Sequence, residues 1–159
     1  MQEAVPVGRG NMIAILGSKI DLIKDLLSSL KNEGVCEIAN DNAEGQVIIS
    51  GDNNKVNLLK TLLKNNNIKS IPLKVSAPFH CSLMKSAAEN MREKINNTSF
   101  NKPTIKIVSN VTAEPVNDQN QIKDLLIKQI FSTVKWRESL LTMSKAVSYT
   151  HLTLPTTTI

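Results

Sequence analysis

Among the 159 residues, the side chains best suited to chemistry are few: His80, His151, Cys36 and Cys81. Imidazole is matched to proton transfer near neutral pH, because its ordinary pKa of about 6.5 lies close to the working range. His80 stands in VSAPFHCSLM, Val75–Met84, a stretch that reads as a strand running into a loop and then into a helix. His151 falls in the terminal stretch SYTHLTLPTTTI. Taken alone, His80 is a loop histidine of no special role, because a catalytic base needs a nucleophile and spacing along the chain does not reveal one. No Gly-x-Ser-x-Gly elbow, the tight strand–helix turn that exposes a serine, occurs in the sequence. LGSK and ISGD hold Ser and Gly without that pattern, and nothing in the spacing links Glu114 or Asp118 to His80. The cysteines form no C-x-x-C pair and no His/Cys cluster with zinc spacing, so a metal site has no support.

The composition sets bounds around these residues. An apolar fraction of 41% is enough for a core, and with aromatics at 3% that core must be aliphatic. The net charge of +5 comes from lysines scattered along the chain rather than from a dense basic run, which is the pattern of ordinary solvated surface. No segment approaches the roughly 18 consecutive apolar residues of a membrane helix, and the opening MQEAVPVGRGN has no apolar signal core. With two cysteines only, the reading is a protein of the reducing cytoplasm.

The elements that must carry His80 follow from periodicity. NMIAILGSKIDLIKDLLSSLKNEGVCEIAN and GQVIISGDNNKVNLLKTLLKNNNIKSIPLKV each read strand, Gly, helix, strand, with Gly17 and Gly51 at matching places where an apolar run turns into a helix. Ser18 and Asp21 have capping-box spacing, and Ile20, Ile23, Leu27 and Leu30 form the first helical stripe. Asp52 or Asn53 is placed to cap the second helix, with Val56, Leu59 and Leu63 as its stripe. Two such units make βαββαβ, a ferredoxin-like arrangement. Beyond it, Ser82 is placed to cap a helix bearing Met84, Ala87, Ala88, Met91 and Ile95. Thr104–Asn110 reads as a strand, VTAEPVND as a loop, and Asp118 as the cap of a helix through Ile122, Leu125, Leu126 and Ile130. Trp136 opens a last helix with Leu140 and Met143 on its stripe. Strand, helix, strand, helix is a part of an α/β sheet that leaves faces and edges uncovered. The Thr-rich residues 148–159 continue none of these patterns and are expected to be non-native to the fold.

Several blocks, taken in order, carry a resemblance. MQEAVPVGRGNMIAILG, ANDNAEGQVIISG, VSAPFHCSLMKSAAENM, VSNVTAEPV and QIFSTVKW resemble the carboxy-terminal half of the malonyl-CoA:acyl carrier protein transacylases, over about residues 1–146. The fold that the resemblance implies is α/β: a ferredoxin-like βαββαβ subdomain inserted in a partial α/β-hydrolase-like core. Residues 1–10 are then a lead-in from the large subdomain, 11–75 the small subdomain, and 76–147 the last part of the large one.

The reaction implied is transfer of a malonyl group from malonyl-CoA, through an acyl-serine, to the phosphopantetheine thiol of acyl carrier protein in fatty acid biosynthesis. A serine hydroxyl is a poor nucleophile at neutral pH and needs a base. By the resemblance that base is His80, which then protonates the departing thiolate. Phe79, before the histidine, goes with malonyl use, because its ring crowds an α-methyl group; a methyl is worth about 1–3 kcal/mol of discrimination. Asn40 and Asn42 match the family's N-x-N turn near the pocket, where their amides line the site or hold the turn. No cofactor is implied. The partners are malonyl-CoA and acyl carrier protein, with no nucleic acid, no membrane and a monomeric full-length protein.

Three parts of the family's machinery have no counterpart here: the G-H-S-x-G serine, the Gln-containing oxyanion loop and the arginine for the malonyl carboxylate. Both ends are therefore read as cuts, with Met1 an internal methionine, and the chain alone is expected to be inactive. The competing reading is a non-catalytic ferredoxin-like module that docks acyl carrier protein or RNA. Against RNA, Phe79, Phe100 and Phe131 fall in loops or helices rather than on the strands where bases would stack.

Overall fold

Met12–Ile15 is apolar at every position and buried at every position, as a strand with neighbours on both edges and layers on both faces must be. This strand, β1 (Gly10–Leu16), lies inside a four-stranded sheet of order β2-β3-β1-β4. The others are β2 (Cys36–Ala43), β3 (Gln46–Asp52) and β4 (Lys69–Pro72), and all neighbours are antiparallel. Helices α1 (Ile20–Ser29) and α2 (Asn53–Asn65) complete the order β1-α1-β2-β3-α2-β4 that the internal repeat predicts. The computed structural model describes residues 5–6, 8–31 and 33–146; His151 and the stretch 148–159 lie outside them.

Side chains of a strand alternate between faces, and the two faces of this sheet hold two different clusters. Ile13, Ile15, Val47 and Ile49 face the helices and pack with Ile23 of α1 and Val56, Leu59 and Leu63 of α2, all of them fully or almost fully buried. Each such side chain contributes about 1.5–3 kcal/mol by leaving water. Met12, Ala14, Ala39 and Ile48 face the other way and pack against Leu73 and Phe79. The second face is therefore where the histidine loop is seated.

Three caps expected from the sequence form differently. The N-cap of α1 is Lys19 without a side-chain bond, and Asp21 pairs with Lys24 at 3.3 Å instead of closing a capping box with Ser18. Asp52 precedes α2 but makes no capping bond; its Oδ2 accepts from the Val35 N–H at 2.6 Å and its Oδ1 lies 3.6 Å from Arg9. Ser82 starts a short 3-10 turn, Ser82–Met84, and bonds to Glu37 rather than capping α3 (Lys85–Asn97). For Asp52 and Ser82 a charged or tertiary partner outcompetes the local cap, whereas the Ser18 hydroxyl is buried without a hydrogen-bond partner among the described residues.

The two repeated glycines also part company. Gly17, at φ +76°, makes the turn out of β1. Gly51 is inside β3, paired with both Asn11 and Cys36, and a Cβ there would stand 2.1 Å from the Val35 carbonyl oxygen. It serves close approach of backbones rather than a turn.

The second half is held by helices more than by strands. Only Ile107–Val108 (β5) of the expected strand Thr104–Asn110 is regular, and it pairs antiparallel with Pro115–Val116 (β6) from the expected loop. Asp118 caps α4 (Gln119–Lys128) as expected, accepting from the Gln121 N–H at 2.8 Å. Helix α5 runs Trp136–Ala146, yet its buried residue is Ser139, and Trp136, Leu140 and Leu141 are exposed. Thr133 and Val134 run along the open edge of β2: the Val134 N–H donates to Ala39 O at 2.8 Å, and the Asp41 N–H donates to Val134 O at 3.0 Å. This contact covers a strand edge that would otherwise be free to pair, and it joins the two halves.

Gly51→Ala is expected to lower unfolding stability by about 1–3 kcal/mol or more, because the obstructing atom is backbone and cannot rotate away. Urea unfolding followed by circular dichroism measures it, and an unchanged midpoint would contradict the close approach.

Candidate functional site

The histidine loop starts where β1 starts. Pro78 is fully buried against Gly10, whose missing Cβ would fall 2.2 Å from the proline ring. The loop then closes on itself: the Cys81 thiol donates to Pro78 O at 3.2 Å, and the Phe79 N–H donates to Ala77 O at 3.1 Å. Between them His80 adopts φ +57°, in the left-handed region. That conformation costs a non-glycine residue about 1–2 kcal/mol and persists where the surroundings over-determine it.

The surroundings include a defined partner for the ring. His80 Nδ1 lies 2.9 Å from the backbone oxygen of Gln129, 49 positions away. A carbonyl oxygen can only accept, so Nδ1 carries the hydrogen, and in the neutral ring Nε2 then holds the lone pair. Gln129 is the residue that closes α4, where helix carbonyls lack intrahelical partners. The end of α4 therefore supplies what a carboxylate supplies to the histidine of a catalytic triad: it fixes the tautomer and the ring plane. The bond survives protonation of the ring, so Nε2 can take up and release a proton without rearrangement. Beside Gln129 a cavity of about 180 Å³ opens between Val108, Asn110, Leu125 and Leu126.

Phe79 is half-buried and packs on two clusters at once, Val5–Ala77–Met84–Ala87 and Met12–Ala14–Ala39–Ile48. Asn40 and Asn42 do not form a turn. Both lie half-buried on β2, whose register is irregular between Ile38 and Asn40 and between Asp41 and Ala43; the turn itself is at Glu44 and Gly45. Among the described residues no hydrogen bond joins either asparagine to His80. Asp41, between them, is buried, and Arg137 of α5 grips it with Nε 3.0 Å from both carboxylate oxygens and Nη2 2.7 Å from Oδ2. That pairing pushes the Arg137 guanidinium above its ordinary range.

Sequence reasoning missed Gln129, Glu37 and Ser50. Gln129 acts through its backbone, so its residue type carries no signal. Glu37 bonds to Ser82 from β2, and Ser50 of β3 donates to the Cys81 sulfur at 3.5 Å. A glutamate inside the apolar run CEIA was the one visible hint. The two thiols are unsuited to nucleophilic roles: burial pushes Cys81 up and pushes Cys36 from 9.0 up to about 12.

In sequence and fold the chain resembles acyltransferases. The relatives are malonyl CoA-acyl carrier protein transacylases: that of Bacillus subtilis is 40% identical over 142 residues, and that of Escherichia coli K12 is 36% identical over 140. These matches take in 88% and 87% of the chain, but 45% of each relative. Among solved structures, an acyl carrier protein S-malonyltransferase from Vibrio cholerae superposes with a TM-score of 0.89 at 37% identity, over 92% of the chain and 48% of that protein. A malonyl-transacylase solved in complex with a type II polyketide synthase acyl-carrier protein gives 0.87 at 30% identity, over 91% and 47%. No family model matches the chain. The resemblance to malonyl-CoA:acyl carrier protein transacylases thus holds in sequence and in structure, and the chain spans about half the length of the relatives it matches.

Two outcomes are expected from the flanking groups. Arg137→Met strands the buried Asp41 carboxylate; loss of one partner from a buried pair costs about 3–5 kcal/mol, and the partly exposed arginine places this at the low end. Denaturant unfolding checks it, with Asp41→Leu/Arg137→Met expected to recover part of the loss. For Cys36, the folded thiol binds its proton more tightly than the unfolded one. Its contribution to stability is therefore fully present below pH 9.0 and is lost as pH rises towards about 12. Cys36→Ala is expected to flatten that decline in a pH series of unfolding midpoints.

Proposed function

We propose that this chain is the histidine-bearing part of a malonyl-CoA:acyl carrier protein transacylase, a stretch consistent with the carboxy-terminal half of the relatives. The observation that carries this is the Nδ1–H of His80 held by Gln129 O, which leaves Nε2 free to act as base. Nε2 takes the proton of a serine hydroxyl as its oxygen attacks the malonyl thioester carbonyl. When the tetrahedral adduct collapses and the C–S bond breaks, the imidazolium gives that proton to the CoA thiolate. The second half-reaction runs in reverse: Nε2 deprotonates the phosphopantetheine thiol of acyl carrier protein, the sulfur attacks the acyl-serine, and the proton returns to the serine oxygen.

In this reading the serine is not among these residues, which hold no Gly-x-Ser-x-Gly elbow. The chain alone is accordingly expected to be inactive, since loss of even one oxyanion donor lowers rate by about 10²–10³. In this reading residues 11–75 are the ferredoxin-like subdomain, which the strand order β2-β3-β1-β4 supports, and 76–147 belong to an α/β-hydrolase-like core. Phe79 shapes the acyl pocket while packing in the core. Asn40 and Asn42 take places at its rim, a position supported by Ala39 packing with Phe79. The net charge of +5 suits an acidic carrier protein. Among the described residues no helix is long and apolar enough to cross a membrane, and the reading implies a cytoplasmic enzyme, monomeric when whole and needing no cofactor.

The test is a chimera in which residues 1–146 replace the matching stretch of the Bacillus subtilis relative. It is expected to move malonyl from malonyl-CoA to acyl carrier protein, and His80→Ala is expected to lower kcat by about 10²–10⁴. A chimera whose His80→Ala variant keeps full activity would overturn the reading.

A further inference from the structure

The geometry points to Glu37 as the positioning residue of His80, acting from the small sheet through Ser82; the inference rests on His80 being the proton-transfer group. Glu37 Oε2 accepts from the Ser82 N–H at 2.8 Å, and Glu37 Oε1 accepts from the Ser82 hydroxyl. Both oxygens of one carboxylate are thus spent on one residue, 45 positions away and two residues past the histidine. Neither the 3-10 turn at Ser82–Met84 nor α3 has a side-chain cap of its own. Glu37 supplies that cap from outside, placing a negative charge where helical N–H groups are unsatisfied.

The neighbour strand completes the grip. Glu37 of β2 is the direct cross-strand partner of Ser50 of β3, and Ser50 Oγ donates to the Cys81 sulfur at 3.5 Å. One pair of facing strand positions therefore holds Cys81 and Ser82, the two residues that follow His80. The ring itself is held by Gln129 O. A non-glycine residue at φ +57° between these anchors stays there only while both hold. Glu37 does not touch the imidazole: it holds the backbone from which the imidazole reaches Gln129.

The test is made on the 159-residue chain labelled with nitrogen-15, reading the ring nitrogens of His80 and the exchange rate of the Ser82 amide. His80→Ala separates the His80 signals from those of His151. In the unaltered chain the ring is expected to show Nδ1–H with a bare Nε2. Glu37→Ala is expected to shift it towards the Nε2–H form that a free imidazole prefers, and to speed Ser82 exchange about 10–100-fold, the effect of losing a hydrogen bond to a charged group. Glu37→Gln keeps one acceptor and is expected to restore most of the Nδ1–H signature. Protection of the Ile49 amide reports that the sheet stays folded. If it is lost in Glu37→Ala, Ser82→Ala removes the hydroxyl donor alone and is expected to shift the ring in the same direction by less. Ring signals that stay at Nδ1–H in Glu37→Ala, or in Ser82→Ala where that variant replaces it, would overturn the role of Glu37. Because no acyl transfer is read, the clamp and the proton-transfer reading are tested separately.

Discussion

A hydrogen bond from an imidazole to a backbone carbonyl fixes more here than its length suggests. His80 Nδ1 and Gln129 O meet at 2.9 Å across 49 positions, between a loop seated on the sheet and the residue that caps the end of a helix in the second half. For the ring to reach, the loop must bend through a left-handed residue, Pro78 must press against Gly10, and α4 must end where it does. The last of those requirements has its own anchors: the Asp118 cap starts α4, and buried Leu125 and Ile127 hold it in place.

The sheet is organised around that demand. One face is closed by α1 and α2 over an aliphatic core, which gives the strands rigidity. The other face sets the small Ala14 and Ala39 beside Met12 and Ile48, and Phe79 of the histidine loop packs there. The edge strand β2 does three things along its length. It offers Glu37 to the loop, takes Thr133–Val134 along its edge, and buries Asp41 for Arg137. The two halves of the chain are joined there by backbone bonds and by an ion pair with little water around its carboxylate. Such a pair adds modestly to stability, yet it is costly to break from one side, so it favours one arrangement of the halves over others.

Much of this was legible in the sequence where the signal is local. The order of the first six elements followed from apolar runs and from the repeated Gly, and the burial of Val56, Leu59 and Leu63 followed from their spacing. His80 stood out as an imidazole in a short loop between a strand-like run and a helix. What stayed hidden was non-local or carried by backbone. The partner of the imidazole is a carbonyl, which every residue has. Ser82, Asp52 and Ser18 looked like caps because their types favour caps, but Glu37 claimed the first, Val35 and Arg9 the second, and Lys19 took the N-cap place of the third. Gly51 looked like a turn glycine because a strand that needs a close neighbour reads the same as a strand that ends. The stripe of α5 pointed to a buried face at Leu140, which stands exposed among the described residues.

The most direct measurement is neutron diffraction from crystals of the chain grown in heavy water, read at His80. A deuteron on Nδ1 aimed at Gln129 O, with none on Nε2, is the expected result. A deuteron on Nε2 with none on Nδ1, or a ring turned away from Gln129, would contradict the proposed role of His80 as a base held ready by the end of α4.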